Sequence, residues 1–385
     1  MTTPTTLADN RIRPGAGWLP GASAIAHPNI ALIKYWGKRD ESLHLPVTDS
    51  LSMTLDIFPT VTTVRPDPTL DSDVVVLSDQ LATPSVHARV ASFLDLVRKR
   101  AGTTVHARVN TRNTVPTGAG LASSAAAFAA LAVAAAAAYD LDLDRRELSR
   151  LARRGSGSAC RSIYGGFVVW HAGTDDPSSY AEPVDAPALD PAMVVAIVDE
   201  HGKRVSSRDA MRRTVATSPL YPEWARHCAT DLDKVRTAIA SGDLDTVGRV
   251  AESNALGMHA AIAAARPPIR YLSPLTKVVL DRIVGLRRAG TGVYATIDAG
   301  PNVVALCSRR DTTAVAQALG RIADQVRVQV ALPGPAAYLI SEGTARSSAA
   351  RPGNYSSPVT TPCSSAVPPP TVRGNGGSRP GTTFA

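Results

Sequence analysis

The sequence predicts a mixed chain of strands and helices, folded as two lobes around a glycine-rich phosphate loop. Three observations carry that expectation. At 385 residues the chain can bury more than one core. Short apolar runs of strand length are interspersed with runs of helical periodicity along its middle. From Thr104 to Tyr139 an alternating strand passes through a loop holding Pro116, Gly118 and Gly120 into an alanine-rich helix.

Taken in order, residues 1–20 read as a flexible leader of Thr, Pro and Gly. Residues 22–33 read as a strand interrupted at His27-Pro28, and 51–57 and 74–77 as further strands. A helix is expected over 86–100, with Val86, Val90, Phe93, Leu94 and Val97 on one face. In the strand over 104–110, Val105, Ala107 and Val109 point one way, and His106, Arg108 and Asn110 the other. The alanine run from 121 to 139 reads as a buried helix rather than a membrane span, since alanine gains little by leaving water. A helix over 142–153 takes Asp142 or Asp144 as its cap, and a strand follows at 166–170. Pro, Asp and Ser crowd 175–191, which puts the boundary there: an N-terminal lobe at 21–185 and a C-terminal lobe at 186–342.

In the second lobe a strand is expected at 193–198 and helices at 204–216, 220–241, 243–265 and 273–288. Pro267-Pro268 stops the third of these. Strands at 293–297 and 303–307 flank a turn at 298–302; a helix at 312–325 and a strand at 326–332 close the lobe. From 343 to 385 Ser, Thr, Pro, Gly and Arg dominate, a composition that predicts a disordered tail. The net charge of +8 falls to about +4 without that tail's four arginines, which suits an anionic substrate and lacks the basic, aromatic-laced stripe of a nucleic-acid binder. Cys160, Cys228, Cys307 and Cys363 show no metal spacing, so reduced thiols and a cytoplasmic location are expected, with no membrane partner.

Five stretches carry chemistry. The loop from Pro116 through Gly118, Ala119, Gly120, Leu121 and Ala122 to Ser123 and Ser124 empties into a helix N-terminus, where unpaired N–H groups and the dipole favour an anion such as a triphosphate. It lacks the Gly-Lys-Ser/Thr of the common phosphate loop; a glycine turn before a buried helix is the plainer reading. Lys34 and Lys38 bracket Tyr35, Trp36 and Gly37, either as a diphosphate or carboxylate holder or as a solvated turn. Ser156, Gly157, Ser158, Ala159, Cys160 and Arg161 offer hydroxyls and a carboxylate-gripping arginine, or merely connect a helix to a strand. Cys160 reads as a small buried thiol, not a nucleophile. Ser206, Ser207 and Arg208 suggest a second anion site or ordinary capping. Asp298 ends an apolar strand, placed to act on a hydroxyl or to form an Asx-turn before Gly300-Pro301.

The string Pro116–Ala125 resembles the ATP loop of the superfamily of galactokinase, homoserine kinase and mevalonate kinase. Residues 29–40 (Asn-Ile-Ala-Leu-Ile-Lys-Tyr-Trp-Gly-Lys-Arg-Asp), 48–55, 156–161, 205–211 and 298–302 are, in order, similar to the diphosphomevalonate decarboxylase family, a likeness running from about 24 to 339. The resemblance implies an α+β, two-lobe GHMP-kinase fold: an N-terminal lobe like ribosomal protein S5 domain 2 and a ferredoxin-like C-terminal lobe. It implies ATP and Mg²⁺ as cofactors, mevalonate 5-diphosphate as substrate, isopentenyl diphosphate, ADP, phosphate and CO2 as products of isoprenoid biosynthesis, and a homodimer. Residue by residue it puts Asp298, Arg161 and Lys34 in catalysis and Pro116 and Gly118–Ser124 on ATP. Tyr35, Trp36, Gly37, Lys38, Arg89, Ser156–Arg161, Ser207, Arg208, Met211 and Thr214 fall on the substrate; no metal ligand is assigned. Two alternatives stand beside it. One is a superfamily kinase or phosphomevalonate decarboxylase using the same clamps; the other is a nucleotide-binding regulator without activity.

Overall fold

The computed structural model describes residues 21–114, 123–199 and 205–341. The expected leader, the phosphate loop from Val115 to Ala122 and the expected tail lie outside the described residues. Helices run over Pro84–Ala101 (α1), Ser123–Ala138 (α2), Arg145–Gly155 (α3), Ser207–Thr217 (α4), Tyr221–Ser241 (α5), Leu244–Ala263 (α6), Pro274–Arg288 (α7) and Thr312–Gly320 (α8). A 3-10 helix occupies Gly157–Ile163.

Three larger sheets organise the chain. The first places Tyr338–Ile340, Ala22–Ala26, Thr60–Pro66, Ala107–Asn113, Val74–Leu77 and Gln80–Leu81 side by side. Only the pairing of Val74–Leu77 with Ala107–Asn113 is parallel. The second orders Ala181–Val184, Phe167–Trp170, Ser50–Thr54 and Asn29–Ile33, all antiparallel. The third orders Val293–Thr296, Val303–Ser308, Pro191–Ile197 and Arg327–Ala331, again antiparallel.

Helix α2 packs against the first sheet, and its alanines explain how it can. Ala125, Ala126, Ala129, Ala130, Ala132, Ala134 and Ala135 are fully buried, so the helix is apolar on every side and its backbone approaches both sheet and neighbouring helices closely. Phe93, Leu94 and Val97 of α1 share that core with Val64 and Val109. Along Pro191–Ile197 the two-residue period divides the side chains. Val194 and Ala196 meet Val279, Ile283, Val315 and Leu319 from α7 and α8. Met193, Val195 and Ile197 enter another core with Leu232, Val235, Ala251 and Met258 of α5 and α6, and with Ile30, Leu32, Leu51 and Met53. That core draws on both halves of the sequence, and so fixes the strand Asn29–Ile33 against the segment carrying Asp298.

The expected elements are found, with shifted ends. Asp144, not Asp142, caps α3: its side chain accepts from the Glu147 N–H while Glu147 reaches back, a capping box. Helix α8 stops at Gly320, five residues short of the expected end, at a residue that disfavours helix. The strand expected from Thr104 starts at Ala107 and runs on to Asn113. The strands Lys38–Asp40, Leu45–Pro46 and Tyr338–Ile340 carry no signal in the sequence reading.

Candidate active site

A cleft of about 640 Å³ opens between the two halves of the chain. The strand Asn29–Ile33 supplies one wall and hands the chain on to Lys34, Tyr35, Trp36 and Lys38. Its pairing with Ser50–Thr54 slips between Ala31 and Ile33. The Ala31 carbonyl accepts from the Lys34 ammonium at 2.8 Å and from the Thr296 hydroxyl at 3.1 Å. Lys34 is fully buried, and its Nζ donates to Asp298 Oδ1 at 2.7 Å. Burial lowers the Lys34 pKa, while the Asp298 carboxylate works in the opposite direction. Asp298 keeps 24% of its side chain exposed, so it stays open to the cleft. The Lys34 backbone N–H is held at 2.9 Å by the Asn254 side-chain oxygen from α6.

Arg161, from the 3-10 helix, is also buried, but its partners are neutral. Nε and Nη2 donate to Asn29 Oδ1 at 3.2 and 3.1 Å, and Nη1 donates to Ser50 Oγ at 2.5 Å. Asn29 is itself fixed through its Nδ2 to Ser158 O and Ser162 Oγ at 3.1 and 2.8 Å. Burial lowers the Arg161 pKa, yet no carboxylate is bonded to it among the described residues. A buried cation so arranged favours an incoming anion. Gly157 admits the ring of Tyr35: a Cβ there would stand 2.7 Å from its hydroxyl oxygen. Tyr35 in turn packs edge-on against Trp170 at 4.7 Å between centroids.

The far end of the cleft is cationic. Lys38 donates to Glu41 at 2.7 Å, and Arg89 from α1 holds the Gly155 carbonyl at 2.9 and 3.1 Å. Burial first, and Arg208 next, push the Arg89 guanidinium down to about 10. Ser206 caps α4 through the Asp209 N–H at 3.1 Å, which leaves Ser207 as the first helical residue; Ser207, Arg208 and Met211 line the cleft. Ser124, in the first turn of α2, also lines it and pairs with Ser156 Oγ at 3.2 Å.

The residue expectations can be placed one by one. Lys34, Tyr35, Trp36, Lys38, Arg89, Ser124, Ser156, Gly157, Ser158, Arg161, Ser207, Arg208, Met211 and Asp298 meet in the cleft. Gly37 lies behind the wall at φ 102°, where a Cβ would strike the Tyr221 hydroxyl. Ala159 and Cys160 are buried residues of the 3-10 helix itself; the thiol donates to Gly157 O, and burial pushes it up to about 12, away from the thiolate. Thr214, on α4, is fully buried, and its hydroxyl donates to Ala210 O at 2.7 Å. Pro116 and Gly118–Ala122 lie outside the described residues. Among the described residues no group of three His, Cys, Asp or Glu side chains is arranged to hold a metal.

Two family models match the chain. The Diphosphomevalonate decarboxylase-like N-terminal domain covers residues 26–181, and the Mevalonate 5-diphosphate decarboxylase C-terminal domain covers 193–344. The chain belongs to the diphosphomevalonate decarboxylase family. Among curated members of that family it is 37% identical to diphosphomevalonate decarboxylase from Ganoderma lucidum, over 74% of this chain and 77% of that one. It is 34% identical to the Homo sapiens enzyme, over 74% and 76%. Among solved structures of the family, the mevalonate diphosphate decarboxylase from Enterococcus faecalis matches with a TM-score of 0.79 and 42% identity, over 83% of this chain and 99% of that one. The Staphylococcus aureus enzyme matches at 0.80 and 39%, over 83% and 98%. A further match, with a TM-score of 0.80 and 42% identity over the same shares as the first, is MDDEF in complex with MVAPP, AMPPCP and magnesium. The α+β GHMP-kinase fold follows, and family membership makes this chain an ATP-dependent carboxy-lyase.

Sequence reasoning missed Asn29, Ser50, Asn254 and Thr296 as site-building residues. Each sits inside an apolar strand or helix and bonds a partner 111 to 265 residues away. A polar side chain at an inward position of an otherwise apolar run was the available signal.

Proposed function

We propose that this cleft decarboxylates 5-diphosphomevalonate with ATP, releasing isopentenyl diphosphate, ADP, phosphate and CO2, and that its residues divide the work as follows. The observation that carries the reading is one cleft holding an acid tied to a buried lysine and a buried arginine with only neutral partners. Asp298 has Oδ1 fixed by Lys34 and is left with Oδ2 to accept the hydrogen of the C3 hydroxyl, orienting that oxygen toward the γ-phosphoryl group. Lys34 acts through Asp298, as the 2.7 Å contact supports. Arg161 grips the substrate carboxylate in a charge-assisted pair. It holds the C–CO2 bond aligned, so that its electrons enter C2–C3 as the C3 phosphate leaves. Lys38, Arg89, Ser207 and Arg208 receive the diphosphate, with Tyr35, Trp36 and Met211 beside it.

ATP phosphates belong at the start of α2, a 16-residue helix whose first turn puts Ser124 on the cleft wall. Mg²⁺ suits this site as an ion carried mainly by phosphate oxygens, where it neutralises the transferring group. Gly118–Ser124 are the proposed phosphate holders. The two lobes are proposed at 21–185 and 186–342, with a cytoplasmic homodimer as the working state; among the described residues no helix is long and apolar enough to cross a membrane. Incubation with 5-diphosphomevalonate, ATP and Mg²⁺ should yield isopentenyl diphosphate and CO2. A phosphorylated mevalonate that keeps its carboxylate would replace this reading with a kinase.

A further inference from the structure

Beside Arg212, which is paired with Asp209, four basic side chains line the cationic end of the cleft, and the function above uses only three of them. The fourth is His44, which lines the cleft with Lys38, Arg89 and Arg208. Its backbone sits at φ 53°, in the left-handed region that a side-chain-bearing residue seldom occupies. Such conformations persist where the surroundings over-determine them, and they gather at working sites. Here Arg153 supplies the restraint. Its guanidinium donates to the Leu43 carbonyl, while its own carbonyl lies 2.9 Å from His44 Nδ1. Arg153 is fully buried and is anchored in turn by Asp176.

A carbonyl only accepts, so Nδ1 carries the hydrogen and the neutral ring offers Nε2 as an acceptor. Nε2 is bonded to no described residue. A phosphate oxygen is also an acceptor, so it can meet Nε2 only if that nitrogen gains a proton. We propose that His44 is a further contact for the substrate's diphosphate, neutral while the cleft is empty and protonated once the phosphates are in place. This rests on the functional reading above and extends it.

The charges around the ring support the switch. Burial, then Lys38, with smaller contributions from Arg208 and Arg89, push the imidazole down to about 4; the Arg153 carbonyl works the other way. Lys38 follows Gly37, Arg89 is on α1, Arg208 on α4 and Arg153 on α3. The nearby acids are already engaged: Glu41 with Lys38, and Asp209 with Ser206 and Arg212. A bound diphosphate would neutralise the same cations that keep a proton off His44, and would attract that proton itself. The folded, free ring is depressed and the bound ring is raised. Proton uptake therefore occurs at pH values between those two pKa values, and affinity falls as pH rises through the bound one.

The test is titration calorimetry of 5-diphosphomevalonate binding at pH 7 in two buffers of different ionisation enthalpy, on wild type, His44→Asn and His44→Gly. Asparagine and glycine both tolerate the left-handed backbone. Wild type should take up more protons than either variant. Its KM should rise from pH 6.5 to 8.5 by about three- to tenfold more than theirs, with kcat changing less than KM. The substrate's own phosphate titration is common to all three and cancels. Equal proton uptake and parallel KM profiles, alongside normal turnover of 5-diphosphomevalonate, would overturn the role of His44 alone. No binding or turnover by wild type would overturn both this inference and the functional reading beneath it.

Discussion

Lys34 and Arg161 are both buried cations in one cleft, and their surroundings are opposite. Lys34 is bonded to an acid of the protein itself, Asp298. Arg161 is held by an amide oxygen and a hydroxyl. A cation already matched with a carboxylate serves that carboxylate; a cation satisfied only by neutral acceptors still favours an anion from outside. The buried Arg98 shows a third arrangement. It meets Asp73 through two parallel bonds at 2.8 and 3.0 Å, and no residue of that pair lines the cleft. The partner, more than the depth of burial, separates an ion pair from a receptor for substrate, and a place on the cleft wall separates the catalytic pair from the structural one.

That contrast can be broken in several ways. The largest effect belongs to the Lys34 corner. Asp298→Asn should lower kcat by about 10²- to 10⁴-fold, the usual contribution of a positioned acid or base, with nucleotide affinity nearly unchanged by equilibrium titration. At the Arg161 corner, Arg161→Gln should cost about 10²-fold in kcat/KM, in line with about 2–3 kcal/mol for a charge-assisted bond. Asn29→Asp is the sharper probe. It hands Arg161 an internal carboxylate, and steady-state kinetics should show KM raised by roughly tenfold, or about 1.4 kcal/mol.

Smaller effects follow. Gly157→Ala sets a Cβ against Tyr35, which must yield; KM should rise by less than roughly tenfold. Because burial lowers the Lys34 pKa, its charge is lost at a pH below the ordinary lysine range, and kcat should show an alkaline limb there. Cys160→Ala should leave kcat within about twofold, since the thiol is buried inside the 3-10 helix and does not line the cleft. A large loss in Cys160→Ala with unchanged melting would restore the thiol to the chemistry.

Much of this was legible in the sequence because it is local. Strand alternation at Ala107 and Val109, helical spacing at Val90, Phe93, Leu94 and Val97, and a cap at Asp144 depend on neighbours a few residues apart. Motif strings gave Lys34, Arg161 and Asp298, but not their geometry. Whether Lys34 screens phosphate or serves Asp298 depends on a contact spanning 264 residues. Asn29 and Thr296 looked like ordinary strand positions because their partners come from the other side of the fold. Tyr338–Ile340 was invisible for the same reason: only Ser23, Ala24 and Ile25, more than 300 residues earlier, make it a strand. Thr214 is a different case: the resemblance implied a substrate contact, and nothing in its sequence hinted that its hydroxyl bonds Ala210 O within α4.

The most direct test is a quenched single turnover with ATP, Mg²⁺ and 5-diphosphomevalonate, in which ADP and CO2 are counted in the same sample for wild type and Asp298→Asn. Wild type should release the two in equal amounts, and both should disappear together in the variant. ADP without CO2 from wild type, or undiminished release of both from Asp298→Asn, would contradict the account.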